Sequence, residues 1–100
     1  MEKNNNKGVE EIRFEIDEID RKIIELLNSR TKYAIDLGEI KRKLNMPIYM
    51  PEREKEVINN VQTHNTGPLS NDAIRRLYER IIDESRRMER EYSETCKHRK

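Results

Sequence analysis

Arg30 and Lys41 stand eleven residues apart in a stretch whose other inward positions are apolar. At about 100° per residue that spacing returns to within roughly 20° of the same direction, and the two cations lie about 16 Å apart along a helix axis. Leaning inward, they can grip the two ends of a small anion. Ser85 and Glu89, four apart, share a direction on a later helix. Arg53 and Glu54 follow Pro51, in a first helical turn whose backbone N–H groups also point outward to an anion. Each residue has a plainer reading. Arg30 can be a buried bundle arginine or a register-setting polar residue, Lys41 a lysine stretched over an apolar edge, and Ser85 costs little in any helix. Glu89 is harder to set aside, because an unpaired carboxylate among apolar side chains is expensive. Together, cations and inward carboxyls on apolar faces describe a cavity for a small, doubly negative molecule better than they describe a packed core.

The elements that must position these groups read as helices. From Val9 to Leu44 the positions Ile12, Ile16, Ile19, Ile23, Leu26, Arg30, Tyr33, Leu37, Ile40 and Leu44 alternate at three and four, a single amphipathic stripe in which one member is an arginine. Gly38 is the one weak helix former in the run, costing about 1 kcal/mol relative to alanine. Such a rod is about 54 Å long, more than a compact domain of radius about 13 Å can enclose, so it needs company from outside its own chain. Asn45 tolerates the left-handed conformation at a helix end, and Pro47 forbids continuation. A second, short helix is expected from Pro51, with Glu52 and Glu54 against its N-terminal dipole and Val57, Ile58 and Val61 as its apolar face. Gln62 to Pro68 reads as a loop. Ser70 or Asn71 can cap a third helix carrying Ala73, Ile74, Leu77, Tyr78, Ile81, Ile82, Ser85, Met88, Glu89 and Tyr92. Residues 1–8 read as a disordered leader, 9–94 as the helical domain and 95–100 as a loose basic tail.

Composition narrows the function classes. Of 100 residues, 33% are hydrophobic and 41% charged, so a monomer would have a thin core and an oligomer that pools its apolar stripes is the better reading. Lys+Arg number 21 against 20 Asp+Glu, which lacks the basic excess of a nucleic-acid binder. No apolar run is long enough to span a membrane, no signal peptide is visible, and Cys96 stands alone without a partner for a disulfide or a metal site. The expected compartment is the cytosol.

Ile12-Arg13, Ile16-Asp17-Glu18-Ile19-Asp20, Leu26-Leu27 with Arg30, Gly38-Glu39-Ile40-Lys41, Pro47-Ile48, Pro51-Glu52-Arg53-Glu54 and Ile81-Ile82-Asp83-Glu84-Ser85, in this order and spacing, resemble the all-helical chorismate mutases of the AroQ class over roughly residues 9–93. The resemblance implies an all-α protomer of three helices, one long, one short and one medium, intertwined with a second copy in a homodimeric bundle with shared active sites. It implies that Arg30, and Arg13 of the partner subunit, bind the carboxylates of the dianionic substrate chorismate. Lys41 would hold the enolpyruvyl carboxylate and approach the ether oxygen. Arg53 and Glu54 would sit near the ring, with Glu54 accepting from its hydroxyl, while Ser85 contacts a carboxylate and position 89 donates to the ether oxygen. No cofactor or metal is implied. Helix geometry agrees with sharing: Arg13 and Arg30, 17 residues apart, lie about 25 Å apart along one helix, too far to clamp one small ligand from one chain.

Two positions depart from the family pattern. Met50 stands where many relatives have a capping Asp, forgoing about 1 kcal/mol. Position 89 is Glu where many relatives have Gln, and a Glu donates only when protonated. An isochorismate-pyruvate lyase shares the fold and much of the cationic set, although Glu54 argues against it, and a non-catalytic helical dimerisation module is the alternative from another class. A free-standing enzyme and a domain of a larger fused one look alike in this sequence.

Overall fold

A single left-handed residue, Asn45 at φ 58°, ends the longest helix of the protein. The computed structural model describes residues 8–99, with side chains described through residue 92. Its elements in chain order are three helices, which we number α1 (Val9–Lys43), α2 (Pro51–Thr63) and α3 (Asn71–Arg99). At the start of α1 the Gly8 N–H donates to Glu11 Oε1 at 2.7 Å, and Glu10 and Glu11 place negative charge in the first turn. Lys41, Arg42 and Lys43 place positive charge in the last, so both ends complement the helix dipole. Beyond it, the Met46 N–H donates to Lys41 O at 2.8 Å and the Asn45 N–H to Arg42 O at 3.2 Å, the paired bonds that satisfy the last carbonyls around a left-handed residue.

Pro51 occupies the first turn of α2, as its fixed φ favours, and Met50 before it makes no side-chain capping bond. The helix continues through Thr63, two residues into the stretch expected to be loop. Gln62 uses the extra turn to donate from Nε2 to Asn71 O at 3.1 Å. Asn65 then binds the connection together, donating to Leu69 O at 2.8 Å and Asn71 Oδ1 at 2.9 Å. Ser70 caps α3, its Oγ accepting from the Ala73 N–H at 3.0 Å. The α3 backbone remains helical to Arg99, so the stretch from Thr95 read as a loose tail is helix up to that residue. Residues 1–7 of the expected leader lie outside the described residues.

The chain divides into two compact units, one up to Arg30 and one from Thr31. The first is a length of α1 whose polar side is laced by i,i+3 ion pairs, Arg13 with Glu10 at 3.3 Å and Arg21 with Glu18. In the second, the buried residues among those described are Ala34, Gly38, Lys41, Ile82 and Glu89. This differs from the stripe read from the sequence. Tyr33, Leu37, Ile40 and Leu44 are exposed, and the covered face of α1 lies next to theirs, on Ala34, Gly38 and Lys41. The reason is separation: a helix backbone approaches another closely only over small side chains. The larger residues, together with Ile12, Phe14, Ile16, Ile19, Ile23 and the 69% exposed Leu26, remain an open apolar band along the rod. Among the described residues, no helix is long and apolar enough to cross a membrane.

Candidate active site

Gly38 sets the geometry from which the polar site follows. A Cβ added there would lie 3.1 Å from the Cα, the Cβ and the O of Glu89, so α1 and α3 cross nearly backbone to backbone at this point. One turn further along α1, Lys41 reaches the same residue of α3, and its Nζ donates to Glu89 Oε1 at 3.0 Å. The two residues are only 7% and 8% exposed. Lys41 Nζ also donates to the Ile48 carbonyl, at 3.1 Å, which ties the connection after α1 to the pair. Glu89 is therefore met by an ammonium, where the sequence suggested an apolar wall. Lys41, far from being stretched over an edge toward solvent, is enclosed.

A buried ion pair is a weak source of stability, since desolvating two charges offsets most of their attraction. Breaking it from one side leaves the other charge exposed to that full penalty. An ammonium carries three N–H donors and, among the described residues, Ile48 and Glu89 take two of them. One donor remains for a ligand oxygen. Gly38→Ala is expected to lower Tm, because the new methyl forces α3 away by a few tenths of an ångström and strains the Lys41–Glu89 bond. The gain of about 1 kcal/mol in helix propensity works in the opposite direction. Thermal melting checks the balance.

The other expected site residues differ in burial and in the partners they meet. Arg30 and Ser85 are half-buried. Glu54 is half-buried and accepts from Arg86 Nη1 through Oε2 at 2.8 Å. Arg53 points to the surface, paired with Glu56 at 2.9 Å, and Arg13 is likewise exposed beside Glu10. The structure thus joins Lys41 to Glu89 and places Glu54 against a residue that the sequence did not single out. Arg86 also donates to Asp83 and lies over the Tyr49 ring, 4.9 Å from its centroid. Its pKa is raised above the ordinary guanidinium value, first by the bond to Asp83 and then by Glu54, against the opposing effect of burial. Its spacing held a signal: four residues after Ile82 and three before Glu89, it shares the helix side of both.

An open cavity of about 920 Å³ lies between α2 and α3. Glu52, Glu54, Glu56, Glu79 and Asp83 line it, together with Lys55 and Arg75. Lys41 and Glu89 do not line it.

Residues 12–90 match the family described as chorismate mutase type II. The chain is 42% identical over 78 residues to the bifunctional chorismate mutase/prephenate dehydratase of Aquifex aeolicus, an alignment spanning 74% of this chain and 22% of that protein. It is 36% identical over 88 residues to the chorismate mutase of Methanocaldococcus jannaschii, spanning 84% of this chain and 86% of that one. Among solved structures, form II of the Thermus thermophilus chorismate mutase matches with a TM-score of 0.81 at 30% identity, over 83% of this chain and 94% of that chain. The Helicobacter pylori chorismate mutase in complex with prephenate matches with a TM-score of 0.75 at 28% identity, over 81% and 88%. The chain spans about a fifth of the length of the bifunctional Aquifex relative and most of the length of the Methanocaldococcus one.

Proposed function

Because the chain belongs to the chorismate mutase type II family, we propose that it catalyses the Claisen rearrangement of chorismate to prephenate, a cytosolic step toward phenylalanine and tyrosine. The observation that carries this reading is the enclosed Lys41–Glu89 pair with one ammonium donor to spare. The rearrangement is pericyclic: one carbon–oxygen bond breaks while a carbon–carbon bond forms, and negative charge grows on the ether oxygen. It asks for no nucleophile, metal or cofactor. The protein's part is to hold the dianion in its compact conformer and to meet that growing charge with fixed donors. Lys41 and a donor at position 89 supply them. Arg30, and Arg13 of the partner subunit, hold the carboxylates, with Arg53 and Ser85 completing the cationic and polar rim and Glu54 accepting from the ring hydroxyl.

The exposed apolar band of α1 supports a homodimer, in which a second copy covers Ile12 to Leu44. The exposure of Arg13 fits a role toward a neighbouring subunit. The helical domain is taken as 9–94, extended by the helical backbone beyond it. Neither the lyase nor the scaffold alternative draws support from the relatives named above.

The deciding experiment follows loss of chorismate absorbance with purified protein, alongside its mass in solution. Turnover by a dimer supports the reading, and a well-folded protein inert toward chorismate overturns it. Arg30→Leu separates enzyme from scaffold: we expect turnover to fall by at least about 100-fold with helical circular dichroism retained. A dimerisation module would instead gain stability from the same change without loss of function.

A further inference from the structure

Resting on the mutase reading above, we propose that Arg86 is a positioning residue for the reaction, holding the Glu54 carboxylate of α2 in place to accept from the substrate's ring hydroxyl. The geometry carries it. Arg86 lies on α3, yet its guanidinium engages three points: Glu54 Oε2 on α2 at 2.8 Å, Asp83 on its own helix, and the Tyr49 ring in the connection before α2, 4.9 Å away. A planar fork fixed at three points has little freedom left, so it fixes the carboxylate bound to it. The bond occupies Oε2, and a carboxylate has about four lone-pair sites, so Oε1 is available to a hydroxyl.

Charge points the same way. Glu54 shares its surroundings with Glu52, Glu56, Glu79 and Asp83, and a carboxylate in such company is driven toward solvent unless a cation restrains it. Arg86 supplies that cation while half-buried, with 21% of its side chain exposed. It also offsets the repulsion that a bare Glu54 would exert on a doubly negative substrate. Lysine cannot replace it, because one ammonium does not bridge two carboxylates and stack on a ring at once.

The test is a double-mutant cycle of Arg86→Ala and Glu54→Gln, read in KM and kcat for chorismate, with Tm measured for every variant. Arg86→Ala is expected to lower kcat/KM by about 10- to 100-fold, mainly through KM, the range seen when a partner that orients a site group is removed. In the Glu54→Gln background the same change is expected to have little further effect. If Arg86→Ala does not fold, Arg86→Lys takes its place in the cycle, with the same non-additivity expected. Additive losses, or a loss of Tm with kcat/KM unchanged, overturn the proposal while the mutase reading stands. A wild-type chain without turnover overturns that reading, and this proposal with it.

Discussion

Lys41→Met is expected to lower kcat by about 10²- to 10³-fold, the loss found when one preorganised donor to a developing oxyanion is removed. Methionine keeps the length and most of the volume of the lysine stem, so the crossing at Gly38 stays filled and the change removes chiefly the ammonium. Two consequences separate catalysis from folding. The third N–H donor of Lys41 disappears, which acts on the transition state and appears in kcat. The Glu89 carboxylate also loses its partner at 3.0 Å, inside a site where both residues are nearly covered. An uncompensated charge there costs about 3–5 kcal/mol unless it takes up a proton. The variant is therefore expected to melt at a lower temperature than the parent. Kinetics and thermal melting measure both. A variant with parental kcat removes Lys41 from the mechanism.

The second large effect concerns Glu89. Its Oε1 accepts from Lys41 Nζ at 3.0 Å. Glu89→Gln keeps an acceptor for Lys41 and adds an N–H donor at the same place, so it is expected to retain turnover. Glu89→Ala, with neither acceptor nor donor, is expected to lose about 10²-fold in kcat. Steady-state kinetics of the two variants check this, and equal losses from both would show that position 89 does not act as a donor.

Arg86 shows why part of the site is not legible in the sequence. It stands among Arg87 and Arg90 on a helix crowded with charge, and its spacing from Ile82 and Glu89 gives its side of the helix but not its partners. Its importance comes from Glu54, 32 residues earlier, and from Tyr49. The bond from Lys41 to Glu89 joins positions 48 apart, each notable in the sequence for a different reason, cation at a stripe edge and acid on an apolar face. Neither position by itself announces the pairing. The inward stripe of α1 likewise reads as Tyr33, Leu37, Ile40 and Leu44, because size and hydropathy draw the eye. The face actually covered within the chain is the one with Ala34 and Gly38.

What the sequence determined by itself is local. Three helices, the left-handed stop at Asn45, the entry at Pro51 and the cap at Ser70 all depend on hydrogen bonds spanning about four residues, and those are written in residue type and spacing. The apolar periodicity also carries the expectation that α1 is covered by something beyond its own chain. Tertiary structure alone decided which charges meet. Gly38, which looks like a defect in a helix, is the position that lets two backbones approach until a lysine and a glutamate can neutralise each other out of water. Such a contact depends on how close two elements come, a distance set by packing across the whole crossing, which no stretch of sequence encodes locally.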